Sequence, residues 1–245
     1  MSFFAPEETR IALLVGAGVA ATAAVGGWNV MAPASQLYGP TFIGLKRGTR
    51  KLALSYDDGP NDPWTPRLLE VLERHGVRAT FFMIGSYAEK NPNIVRMVAA
   101  AGHDIGNHTY SHPNLAGRSL SSLRAELDRC QAVLEQTIGY RPRLFRPPFG
   151  ARRPGTLRTA AKAGFKTVMW RASAHDWALT SMEAIAAKVA SQIRGGEVIL
   201  MHDGSHRGFG WDRHLTVEAT DEIIRRYSAQ GYQFLPASEM MALGS

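Results

Sequence analysis

Cysteine is nearly absent: the 245 residues hold one, Cys130. A single thiol excludes an internal disulfide framework and any cysteine-based zinc cluster, so a bound metal would have to sit on His, Asp or Glu. Charge is missing from one long stretch, since no Asp, Glu, Lys or Arg stands between Arg10 and Lys46. Acidic residues are outnumbered, 21 against 28 basic ones, which gives a net charge of +7. A basic balance fits nucleic acid, a membrane surface or an anionic wall polymer. No Arg/Lys-rich helix and no interleaved aromatic surface accompanies it, so nucleic acid is set aside as a partner. Hydrophobic residues at 45% and charged residues at 20% exclude global disorder. Beyond residue 46 there is no internal repeat and no low-complexity tract.

The uncharged stretch begins with Ile11 to Gly27, rich in Ala, Val, Leu and Gly. It has about the length of a signal h-region and falls slightly short of the ~20 residues of a spanning helix. Continuing through Trp28, Val30 and Met31 reaches spanning length, and Ala32-Pro33-Ala34 is a weak cleavage candidate. A buried core helix is the alternative. Residues 1–10 lack the basic flank of a signal peptide, whereas Lys46, Arg47, Arg50 and Lys51 follow the segment. Read literally, that asymmetry keeps the main domain in the cytoplasm, unless those four residues belong to the folded domain. The expectation is an apolar signal or anchor with linker over 1–45 and one folded domain over 46–245. The location expected is the cell envelope, secreted or membrane-associated through residues 11–31, with a cytoplasmic orientation left open and a monomeric state.

From Lys51 onward short apolar runs alternate with amphipathic stretches. Strands are predicted at Leu52–Tyr56, Ala79–Ile84, His103–Gly106, Leu144–Arg146, Lys166–Trp170, Val198–Met201 and Tyr232–Leu235. Helices are predicted at Thr65–His75, Ala88–Ala101, Ser121–Ile138, Thr156–Ala163, Met182–Ile193 and Thr216–Gln230. Leu123, Leu127, Cys130, Leu134 and Ile138 have helical spacing and mark one buried face, which makes Cys130 a small core residue. Gly76, Gly102, Gly139, Gly164 and Gly231 each stand just past a predicted helix, where C-terminal caps belong. This interleaving implies an α/β fold with a mainly parallel sheet, either a barrel or an open doubly wound sheet. No Gly-rich phosphate loop follows the first strand; Ser55-Tyr56-Asp57-Asp58-Gly59-Pro60 stands there instead.

Polar constellations recur at the C-terminal ends of successive predicted strands, the face on which barrel enzymes build their sites. Asp57-Asp58-Gly59-Pro60 reads first as a turn. Neighbouring residues leaving a strand diverge, however, so one carboxylate can hold a metal while the other faces a water. His108-Thr109-Tyr110-Ser111-His112 places two imidazoles four residues apart, a chelating spacing on a helical turn. Thr109 stands where a zincin carries its catalytic Glu, which argues against a protease of that type. With Asp58 the pair makes a two-imidazole, one-carboxylate set suited to zinc. Arg146-Pro147-Pro148-Phe149-Gly150 is a stiff loop whose Arg146 can clamp a carboxylate. His202 ends the apolar run Val198–Met201 and reads as a proton shuttle, with Asp176 able to orient it and raise its pKa. Residues 205–215, with His206, Arg207, Phe209, Trp211, Arg213 and His214, read as a loop over the mouth, either a substrate-contacting rim or a solvated loop.

Ser-Tyr-Asp-Asp-Gly-Pro, His-Thr-Tyr-Ser-His, Arg-Pro-Pro-Phe-Gly, His-Asp-Trp and Leu-Met-His, in that order, resemble the five motifs of the polysaccharide deacetylase family, the NodB homology domain of carbohydrate esterase family 4. The resemblance covers about residues 50 to 240. It implies a distorted, TIM-like (β/α) barrel of seven to eight strands and a divalent metal, zinc first, with Co2+ or other divalent ions as alternatives. It also implies removal of acetyl groups from N-acetylglucosamine-containing glycans of chitin, peptidoglycan or capsule type. It makes Asp57 the general base, Asp58, His108 and His112 the metal ligands, and Arg146 the brace of Asp57. His202 becomes the general acid tuned by Asp176. Trp177 and Leu200 line the acetyl pocket, and the backbone N–H of Phe149 serves the oxyanion. Two departures stand out: Ser173 occupies a place often acidic in the fourth motif, and Phe149 one often held by Tyr. An O-deacetylase of acetylxylan type and a non-catalytic glycan-binding protein are the competing expectations.

Overall fold

The computed structural model describes residues 30–244. The apolar segment at 11–31 therefore lies, except for its last two residues, outside the described residues. Among the described residues no helix is long and apolar enough to cross a membrane.

The sheet is organised around β1 (Lys51–Gly59), which pairs with β2 (Thr80–Met83) on one side and β7 (Val198–His202) on the other. Beyond β2 follow β3 (Asp104–Asn107), β4 (Leu144–Phe145) and β5 (Lys166–Thr167); beyond β7 lies β6 (Ala172–Ser173). A short β8 (Gln233–Phe234) pairs with the start of β1, and every one of these pairings is parallel. Parallel neighbours need crossovers, and the intervening helices provide them. They are α1 (Trp64–Arg74), α2 (Gly85–Lys90), α3 (Pro92–Ala100), α4 (Leu120–Ile138), α5 (Thr156–Lys162), α6 (Met182–Ala190) and α7 (His214–Ala229), with a terminal α8 (Ala237–Leu243). The result is a curled barrel whose edge strands β5 and β6 do not pair with each other. Residues 42–44 bridge the gap through Phe42 to Val168 and Gly44 to Glu197.

Period-two alternation along β1 sorts its side chains. Leu52, Leu54 and Tyr56 are fully buried against the helices, with Leu68, Val95, Cys130, Ile185 and Ile223. Each such burial contributes about 1.5–3 kcal/mol. Ala53 points the other way and packs with Phe82, Leu144, Val168 and Val198, and this group is closed off by Ala237 and Met240 of α8. Gly106 keeps β3 close to this inner layer, because a Cβ there would run into the Phe82 ring.

Differences from the predicted elements have local causes. The single helix predicted over 88–101 is two, broken at Asn91–Pro92, where the proline lacks an N–H and starts a new helix at its first position. The strand predicted over 166–170 ends at Thr167, after which Val168 bridges to Phe42. β6 has two residues, too few to show a periodicity, and α8 follows Pro236 in a stretch where no helical pattern is predicted. The five expected capping glycines all carry positive φ, from 61° to 89°.

Candidate active site

The end of β1 departs from the expected turn. Asp57 and Asp58 belong to the strand, and a bulge makes the register jump from Asp57 opposite Phe82 to Gly59 opposite Met83. Strict alternation would send Asp58 outward into the helices. The bulge, with Asp58 at φ 72°, turns it back, so both carboxylates line one cavity.

Asp57 is held from below. Arg146, at the end of β4, is fully buried and donates from Nη1 to Asp57 Oδ1 at 2.7 Å. Its other donors reach Ser55 Oγ at 2.9 Å, Met169 O at 3.2 Å and Val168 O at 3.1 Å. The guanidinium lies over the Phe82 ring, 4.1 Å from its centroid. Burial pulls its pKa below the ordinary value, and the Asp57 charge opposes that pull. Asp57 Oδ2 is left facing the site, 3.7 Å from His108 Nε2.

Asp58 meets the two histidines. Its Oδ1 lies 3.0 Å from His112 Nε2 and 3.6 Å from His108 Nε2, and one donor atom from each residue falls within 4.8 Å of the others. The histidines do not share a helical turn as their spacing predicted. They stand on a loop after β3 with Thr109 at φ 68° and His112 at φ 56°. Side chains acting on the backbone hold this conformation. Asn107 Oδ1 accepts the Thr109 N–H, Thr109 Oγ1 accepts the His112 N–H, and Glu126 of α4 accepts from the N–H groups of Tyr110 and Ser111. These contacts outweigh the local helical preference.

The donor set fits a divalent cation. Asp58 Oδ1 is buried and makes no well-formed hydrogen bond although His112 Nε2 stands 3.0 Å away, a condition that a cation shared by the two would relieve. His108 Nδ1 lies 2.7 Å from the Arg146 carbonyl, which can only accept, so the proton sits on Nδ1 and the Nε2 lone pair faces the site. Burial pushes the His108 imidazole down to about 4, which keeps it neutral. Burial alone would raise the Asp58 pKa, but His112 and His206 outweigh it and hold the carboxyl well below its usual range.

Across the site, His202 stands directly opposite Asp57 in the β1–β7 register. Its backbone N–H donates to Asp176 Oδ2 at 2.7 Å, and its Nδ1 lies 2.9 Å from Asp176 Oδ1. Thr216 Oγ1 of α7 donates to the same carboxylate at 2.9 Å. Burial opposes a charge on His202, yet the Asp176 carboxylate overcomes it and raises the pKa. Asp176 is itself lowered: burial works against its charge, and His202 outweighs burial.

A cavity of about 420 Å³ joins these groups. Asp57, Asp58, His108, His112 and His202 line it, as do Phe149, Trp177 and Leu200. Arg146 and Asp176 lie behind the wall, touching Asp57 and His202. Phe149 has φ 58° in the turn after Pro148, and the Trp177 ring stands edge-on to His202 with centroids 5.0 Å apart. Ser173 sits in β6 beside Leu200, and its Oγ has no partner among the described residues. The sequence reads His206 as part of a substrate-contacting rim or a solvated loop, but its N–H donates to Asp58 Oδ2 at 3.2 Å. Met31 and Trp170, also in the wall, carried no sequence signal.

The sequence profile described as polysaccharide deacetylase matches residues 44–168. A Bacillus cereus protein named peptidoglycan-N-acetylglucosamine deacetylase is 38% identical over 190 residues, covering 78% of this chain and 68% of the relative. A Bradyrhizobium chitooligosaccharide deacetylase is 35% identical over 200 residues, covering 79% of this chain and 91% of its own. Among solved structures, a peptidoglycan N-acetylglucosamine deacetylase in complex with 4-naphthalen-1-yl-N-oxidanyl-benzamide superposes with a TM-score of 0.76 at 35% identity, over 82% of this chain and 92% of that one.

Proposed function

The chain belongs to the polysaccharide deacetylase family, and from that premise we propose a metal-dependent hydrolase that removes acetyl groups from N-acetylglucosamine units of an envelope glycan. One observation carries the reading. Asp57, braced by Arg146, and His202, braced by Asp176, face each other in register on neighbouring strands, with the Asp58–His108–His112 set beside them in one cavity.

Asp58, His108 and His112 would hold the divalent cation, and two imidazoles with one carboxylate favour zinc, with cobalt the nearest substitute. When bound, the cation supplies Lewis acidity that polarises the acetyl carbonyl and eases deprotonation of water. Asp57 Oδ2 takes the proton of the attacking water, while Arg146 occupies Oδ1 and fixes the carboxylate. The backbone N–H of Phe149 is the donor assigned to the developing oxyanion, an interaction worth about 3–4 kcal/mol. His202 gives its proton to the sugar nitrogen as the C–N bond breaks, releasing acetate and a free amine. Leu200 and Trp177 enclose the acetyl methyl.

The glycan is an acidic one of peptidoglycan type. Arg207 lines the mouth of the cavity, and the chain carries +7 overall. Residues 1–45 serve as leader or anchor and linker, with 30–45 packed onto the domain at 46–245, which acts as a monomer in the envelope. Acetate release tests the activity. Peptidoglycan fragments, chitooligosaccharides and acetylxylan are assayed with and without chelator. Release is expected from the first two, greatest from peptidoglycan fragments, and abolished by chelator. No release from any substrate would sink the proposal, and release from acetylxylan alone would turn it to an O-deacetylase.

A further inference from the structure

The two candidate imidazole ligands are held in different ways. His108 is oriented by the Arg146 carbonyl against Nδ1. His112 Nδ1 is buried with no hydrogen-bond partner among the described residues, so nothing of that kind fixes its ring. Metal-ligating histidines ordinarily hold their second nitrogen in a hydrogen bond, which fixes ring orientation and tautomer. Two rings take over that task at His112. His206 stacks on it with centroids 4.7 Å apart and planes 14° apart, and Phe149 meets it edge-on at 4.6 Å. His206 also reaches the third candidate ligand. Its N–H donates to Asp58 Oδ2 at 3.2 Å and its Nδ1 lies 3.5 Å from the same oxygen. That engages Oδ2 and leaves Oδ1 aimed at the two imidazoles.

We infer that His206, which lies on the loop after β7 and outside the five motifs, is a positioning residue of the metal centre. Its ring clamps the His112 imidazole by stacking and, with its backbone N–H, holds the Asp58 carboxylate in a ligating orientation. The inference rests on the reading of Asp58, His108 and His112 as the metal ligands. Loss of the ring leaves the backbone N–H in place, so His206→Ala isolates the ring's share. His206→Phe restores the stack without the nitrogen and separates the two contacts.

Calorimetric titration of chelator-stripped full-length protein with zinc, repeated with cobalt, tests this. His206→Ala is expected to weaken binding of both ions about 10- to 100-fold, the scale on which groups that orient ligands act. His206→Phe is expected to fall between the variant and the wild type. The cobalt visible spectrum should change in His206→Ala, and the thermal midpoint of the stripped protein should not. A His206→Ala protein that binds both ions within twofold of wild type overturns the inference and leaves the metal site standing. A wild-type protein that binds neither ion overturns both. A lowered thermal midpoint of the stripped variant that accounts for the whole loss of affinity, with no rescue by Phe, also overturns it.

Discussion

The two ends of the barrel solve the same backbone problem with different residues. Where helices run back into strands, at the floor, left-handed positions fall to Gly76, Gly102, Gly139, Gly164 and Gly231. At the mouth Gly150 and Gly210 take such positions too, but so do Asp58, Thr109, His112, Phe149 and His175, the only residues other than glycine with positive φ among the described residues. A side chain in that conformation costs roughly 1–2 kcal/mol, and three of these five, Asp58, His112 and Phe149, line the cavity. The buried groups differ as well. Leu45, Ala53, Val198 and Met240 fill the floor with apolar surface, whereas Asp57, Asp176 and Arg146 are buried at the mouth and held by opposite charge. The floor follows local preference. The mouth departs from it wherever a chemical group must be aimed, as expected for strain concentrated at functional sites.

The strongest way to break this contrast is at Asp57 and Asp58, adjacent residues to which different tasks are assigned. Asp58→Ala is expected to abolish metal binding and deacetylation. Asp57→Asn is expected to keep the metal and lose roughly 10²–10⁴-fold in kcat. Metal titration beside steady-state kinetics checks both, and loss of the metal from Asp57→Asn would show the roles to be misassigned. Next in size is the acid. His202 must be protonated to act, and its raised pKa keeps it so beyond the ordinary 6.5, so activity should persist above that pH before falling. Asp176→Asn removes the attraction that overcomes burial, and the alkaline limb of kcat should then move down by about one pH unit or more. An unmoved limb in the pH–rate profile would separate His202 from that limb. The smallest effect belongs to the floor. A Cβ at Gly139 meets open space, so Gly139→Ala tests backbone strain alone and should cost about 1–2 kcal/mol in urea unfolding with kcat unchanged.

That contrast also explains what could be read from the chain. Period-two and period-3.6 patterns gave the long elements, and Cys130 is indeed a core residue whose burial pushes the thiol up to about 12. The motif residues could be named because their types and order are distinctive. Three things were not legible, and each depends on contacts distant in sequence or on elements too short to show a period. The bulge that turns Asp58 inward is a matter of register with β2. The loop that carries His108 and His112 is held by Glu126, far along on α4. His206 gains its place only when the loop after β7 folds over Asp58, and no spacing links residue 206 to residue 58.

The path of residues 30–45 has a practical consequence. Met31 lies in the wall of the cavity, and the Val30 and Ala32 carbonyls accept hydrogen bonds from Arg152; the chain then descends to the seam at Phe42 and Gly44 before β1 begins. The described chain thus starts beside the substrate entrance. The other terminus, beyond α8, leaves from the opposite end, where Met240 closes the floor. Immobilising the protein through its C-terminus would present the entrance to a bulk polymer.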